Sequence, residues 1–504
     1  MAKKSAPITI GGQKAIGGQQ RQEEPYKTSE AVEHFEDANS IPPPDDQHAA
    51  TRDYRLKDIT IASPSGGNLS VMFNFVSCSI FEDIFSNTMS CELSIMDTNN
   101  VVRHLPIIGQ QEELTITFET PGTKDIIEFK FDIYAVRNKI LPSSGRKQVV
   151  TLSAVSTIMF NETYTKISKS YYDTTTNIIK DICKEYLEIP DKKMFVDVKG
   201  DNEKIKIIIP NWSPLTAINW LVARARDGDV CNFVFYEDRE GFHLTTLDKL
   251  VDVNKPHMGY FYTPRKHRDY TTVGAVRGRR QVGYEYRNIE SLVFEEPGNR
   301  LDEINGGMHS SRLLTHNIVT KSYEFTDYNM KKEWDNTKHI EKNYPICKDL
   351  DKFGTEHDSV FDFKPKHKFL NQKNSLGGED VEDNDKYQEW FSKRKSQIKQ
   401  GRLFRIAANL AGDSRRKCGD VVYLKFAPLE PGKNEDDDKI DKYITGKYLV
   451  TTVRHTLTQD GGYLMDMELT KDSVGDPYPK ISKFLEAIDI AGGQDEVLRS
   501  EFQG

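Results

Sequence analysis

The run from Leu69 to Gly109 decides the fold class. It reads Leu69-Ser-Val-Met-Phe-Asn-Phe75, Phe81-Glu-Asp-Ile-Phe-Ser-Asn87, Met89-Ser-Cys-Glu-Leu-Ser-Ile95 and Met96-Asp-Thr-Asn-Asn100, ending in Leu105-Pro-Ile-Ile-Gly109. Side chains of a strand point to opposite faces with period two, so Leu69, Val71, Phe73 and Phe75 share one face. Met89, Cys91, Leu93 and Ile95 do the same on the next strand. One face must be buried while the other meets solvent or a partner, which describes an antiparallel barrel or sandwich.

The alternation continues through Leu114, Ile116 and Phe118, then Ile127, Phe129, Phe131 and Ile133, then Val150, Leu152 and Ala154. Five strands with turns at Thr120-Pro121-Gly122 and Pro142-Ser-Ser-Gly145 make an all-β domain over 53–163. The period then changes. Asp173 is placed to cap a helix with Ile178, Ile179, Ile182, Tyr186 and Leu187 on one side, stopped by Pro190. A strand from Ile205 to Ile209 runs into Pro210-Asn-Trp212. Ser213 and Pro214 start a second helix whose buried side carries Leu215, Ile218, Leu221, Val222 and Ala225. A hairpin through Phe233, Phe235 and Phe242 closes an α+β domain over 164–247.

Further along, a basic and aromatic connector over 248–285 is expected to complete part of the first barrel. A second β domain is read from 286–327 and 400–475, with a helix near Leu301 to Leu314, a strand from Asn317 to Phe325, and a closing hairpin across Asp460-Gly-Gly462. Residues 328–399 form a charged insertion containing Gly377-Gly-Glu-Asp380 and Glu382-Asp-Asn-Asp385. Residues 1–52 are an arm rich in Gly, Gln, Glu and Pro without periodic apolar residues, and 476–504 a tail.

The chain of 504 residues, with 37% hydrophobic residues and a formal net charge of -8, is too long for one core and too acidic for a protein that coats nucleic acid or anionic lipid. No apolar run reaches the roughly 20 residues a membrane-spanning helix needs, and no membrane binding is expected. The N-terminus lacks the apolar stretch of a secretory signal, so assembly in the cytoplasm is expected. Six scattered cysteines, among them Cys91 on an apolar face and Cys418 in a polar turn, read as reduced thiols. No nucleophile elbow, P-loop, HExxH or EF-hand loop is present, and neither a metal, a cofactor nor a catalytic residue is expected. His309 and His316 flank Arg312 without metal-ligand spacing, and the acid pairs Asp227/Asp229 and Glu295/Glu296 fit turns better than a hydrolase dyad.

Several motifs, in this order, resemble the baseplate central hub proteins of contractile-tailed bacteriophages, related to the hub part of type VI secretion spike proteins. They are Phe81 to Thr88 with Asp97-Thr-Asn-Asn100 and Leu105 to Gly109; Ile209-Pro-Asn-Trp-Ser-Pro-Leu-Thr-Ala-Ile-Asn-Trp-Leu221; and Gly419-Asp-Val-Val422 with Gly446 to His455 and Met465 to Leu469. The resemblance covers roughly 55–325 and 400–475. It implies an α+β, mainly β chain with two tube-like antiparallel β-barrels, an α+β insert domain and a polar insertion in the second barrel. It further implies a homotrimer joining the hexameric tail tube protein to a separate trimeric central spike protein, flanked by baseplate wedge proteins, with phage DNA passing through its lumen in the virion. A cell-wall glycan hydrolase of the tail and a hub of a secretion-type injection device are the alternatives.

Phe81, Ile84 and Phe85 beside the first hairpin, Trp212 in its turn, and Arg277, Arg279 and Arg280 are the interface residues expected. The arginines belong to a cluster from Arg265 to Arg287 interleaved with Tyr262, Tyr270, Tyr284 and Tyr286, which suits phosphates and stacked bases. A solvated or subunit-facing cluster paired with the acidic insertion is the reading we favour, since a sticky wall would hinder DNA in a lumen.

Overall fold

Alternation builds the first unit, with seven strands where five were expected. In the computed structural model, β1 (Arg55–Ala62), β2 (Asn68–Ser70), β3 (Phe75–Asp83), β4 (Ser90–Asp97), β5 (Glu112–Glu119), β6 (Ile127–Ile140) and β7 (Gln148–Val155) pair in the order β3-β4-β7-β6-β5-β1-β2. All of these pairs are antiparallel. The structure describes residues 52–64, 66–97, 112–121, 126–140, 148–198, 200, 204–252, 256–262, 287–295, 300–317, 322–345, 366–372, 387–426, 444–460 and 462–475. Residues 1–51 of the N-terminal arm, Asn99 to Gly109, the Pro142 turn, the arginine cluster from Arg265 to Tyr286, Gly377 to Asp385 and the tail lie outside the described residues.

Every second residue of these strands enters one core, including Ile59, Ile80, Leu93, Ile116, Phe131 and Leu152. Phe73 departs from the expected face. A single 3-10 turn over Met72–Asn74 breaks the alternation, so Val71 and Phe75 are buried while Phe73 is 95% exposed.

Next come α1 (Ile158–Tyr164), β8 (Ile167–Thr174), α2 (Thr175–Glu185), β9 (Met194–Val196), β10 (Lys204–Trp212), α3 (Pro214–Val222), β11 (Phe233–Glu237), β12 (Phe242–Thr246) and α4 (Leu247–Val251). The cap of α2 is Thr174, one residue later than expected, with its hydroxyl accepting from Asn177 N at 3.3 Å. Asp173 instead accepts from Thr174 N at 2.8 Å, because β8 runs straight into the helix. Ser213 stands at the cap of α3, but the carboxylate of Glu162 accepts from Leu215 N at 2.6 Å, and the Ser213 hydroxyl is taken up by Thr216. Ile178, Ile182, Ile218, Leu221, Phe233 and Phe242 close a core of their own.

The second β unit contains β13 (Met258–Tyr262) and β14 (Ser291–Glu295), then, after an excursion, β18 (Phe404–Ala411), β19 (Val421–Phe426), β20 (Gly446–Thr458) and β21 (Gly462–Lys471). Strands β14-β18-β21-β20 are antiparallel, and β20 also carries β19, which pairs in parallel with β13. A parallel bridge between Phe261 and Asn288, with Ile289 N donating to Phe261 O at 2.9 Å, brings β13 back to β14. Met258 to Tyr262, expected to complete the first barrel, therefore belongs to this unit, whose Met258, Tyr260, Val421, Leu424, Val450 and Met467 form the second core.

The excursion holds α5 (Arg300–Asn305), β15 (Ser310–Asn317), β16 (Ser322–Asn329), α6 (Met330–Glu333), β17 (Lys366–Gln372) and α7 (Tyr387–Gln400). The helix expected up to Leu314 stops at Asn305, since Gly306-Gly307 follows and Gly307 adopts φ 69°. Ser311, Leu313 and Thr315 then alternate inward as β15, which joins β16 and β17 in a separate three-stranded sheet and not in the second β unit. The charged insertion includes α7, a docked helix. Its Arg394 guanidinium donates to the carbonyls of Val222, Cys231 and Phe233 at 3.1, 2.9 and 3.0 Å, and its Gln397 accepts from Cys231 N at 2.7 Å.

Candidate functional site

One strand belongs to both β units. Leu449 to Thr458 of β20 pairs with β21, and its second half, Thr452 to Thr458, also pairs antiparallel with Asp83 to Ser77 of β3, joining the two units into one sheet of thirteen strands. The side chains along the seam record the passage from one core to the other. On β3, Cys78 and Ile80 lie in the first core, and Ile84 just past the strand's end lies in the second, with Glu82 between them. On β20, Val450 and Val453 lie in the second core and Leu457 in the first, with His455 between them. A register slip between Val450 and Thr452 turns the strand, and the Thr451 carbonyl freed there accepts from Ile84 N at 3.0 Å.

The two polar residues at the crossing are fully enclosed. Glu82 accepts from Cys418 N at 3.1 Å through one carboxylate oxygen, and the other lies 4.0 Å from His455 Nε2. Burial, with the charge of Asp238 adding to it, pushes the Glu82 carboxyl up to about 8. Burial also takes His455 down to about 4, helped by Arg239, and its Nδ1 is held 2.8 Å from the Tyr463 hydroxyl. Both groups are therefore neutral near pH 7, the cheaper state for ionisable groups between two apolar cores.

The turn of the β11–β12 hairpin wedges into this crossing from the α+β domain. Asp238 closes the turn by accepting from Glu240 N and Gly241 N at 2.7 and 3.1 Å. On the first unit, Glu237 accepts from Met89 N and the Ser156 hydroxyl at 3.0 and 2.9 Å. On the second unit, the Arg239 guanidinium donates to the carbonyls of Ser414 and Arg415. The loop 412–420 it grips is close-packed. A Cβ on Gly412 would lie 2.1 Å from Cγ of Tyr463, and Gly419 has φ 87° under the Tyr236 hydroxyl. Cys418, expected in a polar turn, is buried here as a free thiol, as are Cys78, Cys91, Cys183 and Cys231.

Asp238, Glu240 and His243 bring possible metal-ligating atoms within 4.8 Å of one another. The Lys417 ammonium lies 2.9 Å from Asp238 and 2.7 Å from Glu240, so the chain's own cation fills the place a metal ion would take. Burial would raise Asp238, but the His243 hydrogen bond and Lys417 outweigh it and hold the carboxyl at about 2. The arrangement is a polar lock between three domains, made of fixed charges and saturated turns.

The expected interface residues fall in different places. Phe81 is half-buried on the outer side of the seam, with the Arg454 guanidinium 5.3 Å from its ring centre. Phe85 is likewise half-buried, under Arg402 at 4.0 Å. Ile84 is wholly buried in the second core; it is a packing residue, because the pleat that turns Phe81 outward turns Ile84 inward. Trp212 packs 5.8 Å from Trp220 against the α+β core, and Arg224 sits over Trp220 at 3.5 Å. Arg277, Arg279 and Arg280 lie outside the described residues, while Arg287, at the end of that cluster, is buried. His309 is buried 3.0 Å from Glu303, and Asp229 pairs with Lys393. Glu82, Asp238, Arg239, Lys417 and His455 escaped the sequence reading. The one local signal was a charge at an inward position of an otherwise apolar strand, Glu82 two residues after Ile80.

No protein-family model and no curated protein matches the chain. Solved structures similar to it include two tail proteins and a component of the type VI secretion system. A tail protein from Neisseria meningitidis MC58 is 12% identical, with 85% of this chain and 100% of that one covered at a TM-score of 0.48. The 43 kDa tail protein of prophage MuSo2 from Shewanella oneidensis is 9% identical, with 82% and 98% covered at 0.47. An E. coli component of the type VI secretion system, itself similar to tail proteins of bacteriophage T4, is 8% identical, with 85% and 79% covered at 0.38.

Proposed function

We propose that the chain is a structural subunit of a phage tail baseplate, a homotrimeric hub without catalytic activity that connects the hexameric tail tube to a trimeric central spike and leaves a lumen for DNA. The observation that carries this reading is the seam. Seven strands, β3, β4, β7, β6, β5, β1 and β2, line the first core, and six, β20, β21, β18, β14, β13 and β19, line the second. Two such tube-like units fixed side by side in one chain supply six when three chains close a ring, which is how a three-fold object can match a six-fold one. The ordered motifs resembling hub proteins support the same reading, and the polar lock at the crossing holds the two units at one angle.

Native mass spectrometry of the purified protein tests it. The expected species is three chains, and a monomer at micromolar concentration would contradict the proposal.

A further inference from the structure

Two cysteines of the first hairpin meet in its core. In the β3–β4 register Cys78 stands opposite Leu93 and Cys91 opposite Ile80, so the two are diagonal neighbours, and both turn into the first core. Their sulfurs lie 3.6 Å apart. A disulfide bond is about 2 Å long, so the gap to be closed is about 1.6 Å, on the scale of a side-chain rotation. Cys183 lies in the core of the α+β domain and Cys418 in the second β core, and among the described residues no other two cysteines make such a contact. Cys78 also belongs to the seam, where it stands opposite Leu457 of β20.

We propose that Cys78 and Cys91 are a redox pair, free while the chain is made under reducing conditions and joined as a disulfide once the chain meets a small-molecule disulfide. In that exchange the thiolate of one cysteine attacks the small disulfide, forming a mixed disulfide and releasing one small thiolate. The other cysteine, also as thiolate, attacks the protein sulfur of the mixed disulfide and releases the second. Two electrons pass from the cysteines to the small disulfide, and the two protons the cysteines lose end on the two thiols released. Both sulfurs are enclosed, Cys78 being 0% and Cys91 1% exposed, and burial with the Cys78 hydrogen bond holds the Cys91 thiol well above its usual range. The thiolate is therefore rare in the closed hairpin, and the exchange runs when β3 and β4 part. The same burial shields the finished bond from reductants. The bond staples the seam strand to its neighbour across the Phe81–Asn87 turn and removes freedom from the unfolded chain. None of this depends on the hub reading.

The test incubates the full chain with glutathione disulfide close to its melting temperature, where the hairpin opens, then cools it, alkylates the remaining thiols and maps the peptides by mass spectrometry. The expected product is a peptide pair joined through Cys78 and Cys91, two hydrogens lighter than the reduced pair, in a chain that melts at a higher temperature than the reduced one. Cys78→Ala and Cys91→Ala should each give no such pair and a melting temperature that oxidant does not raise. The wild-type map decides the pairing whether or not either variant folds. Recovery of Cys78 and Cys91 as alkylated thiols, as glutathione adducts or joined to another cysteine would overturn the pairing, and a linked chain that melts no higher than the reduced one would overturn the staple.

Discussion

Replacing Glu82 by glutamine should make the protein more stable at alkaline pH. Glu82 has no cation within hydrogen-bonding reach, and its carboxyl is raised from the ordinary value of 4.5 to about 8 by burial and by Asp238. A carboxyl raised on folding stabilises fully below its unfolded pKa, and that contribution is lost as pH rises through the folded value. Each pH unit inside the window costs about 1.4 kcal/mol per proton, so from pH 5 to pH 8 the loss is on the order of a few kcal/mol. Glutamine keeps an oxygen to accept from Cys418 N and never ionises. His455, lowered to about 4, contributes the opposite slope, since its stabilisation is present above about 6.5 and lost as pH falls through 4. Glu237, raised to about 7, adds a slope of the same sign as Glu82, and both remain in the variant. The difference between wild type and Glu82→Gln therefore isolates one group. Thermal melts at pH 6, 7.5 and 9 should show the variant gaining on wild type as pH rises, by roughly 5 °C or more at pH 9. Parallel pH profiles for the two proteins would refute the reasoning.

Lys417→Met should leave Asp238 and Glu240 without their shared cation and cost about 3 kcal/mol or more, read as a lower melting temperature that Asp238→Asn in the same chain partly restores. Gly412→Ala should destabilise strongly, because its Cβ would fall 2.1 Å from the Tyr463 ring carbon; a melt equal to wild type would contradict the packing described here. Burial works against the His339 imidazolium, but hydrogen bonds to Asp472 at 2.7 Å and the Trp334 carbonyl at 2.9 Å raise it overall. Its stabilisation is present below about pH 6.5 and fades as pH rises through the raised folded value, so proteolysis of the 334–345 segment should quicken with pH in wild type and lose that dependence in His339→Gln. A zymogram on bacterial cell wall should show no clearing by the purified protein.

The first β unit was legible because its pattern is local. Residues from Ile59 to Ala154 alternate without help from distant partners, and even there one 3-10 turn was enough to put Phe73 outside. The second unit was harder to read, because its strands are separated by more than a hundred residues and β13 pairs in parallel with β19, a partner no periodicity announces. α7 was hidden by composition. Its lysines, arginines and glutamines look solvated, yet Arg394 and Gln397 satisfy backbone groups of the α+β domain. The lock around Glu82 and Lys417 joins residues more than three hundred positions apart, so only the fold could assemble it.

Cryo-electron microscopy of the purified full-length protein tests the central claim most directly. The account predicts a three-fold ring with six similar lobes around an open centre, adjacent lobes joined alternately within and between chains. Isolated two-lobed particles, or a closed ring of any other chain number, would contradict it.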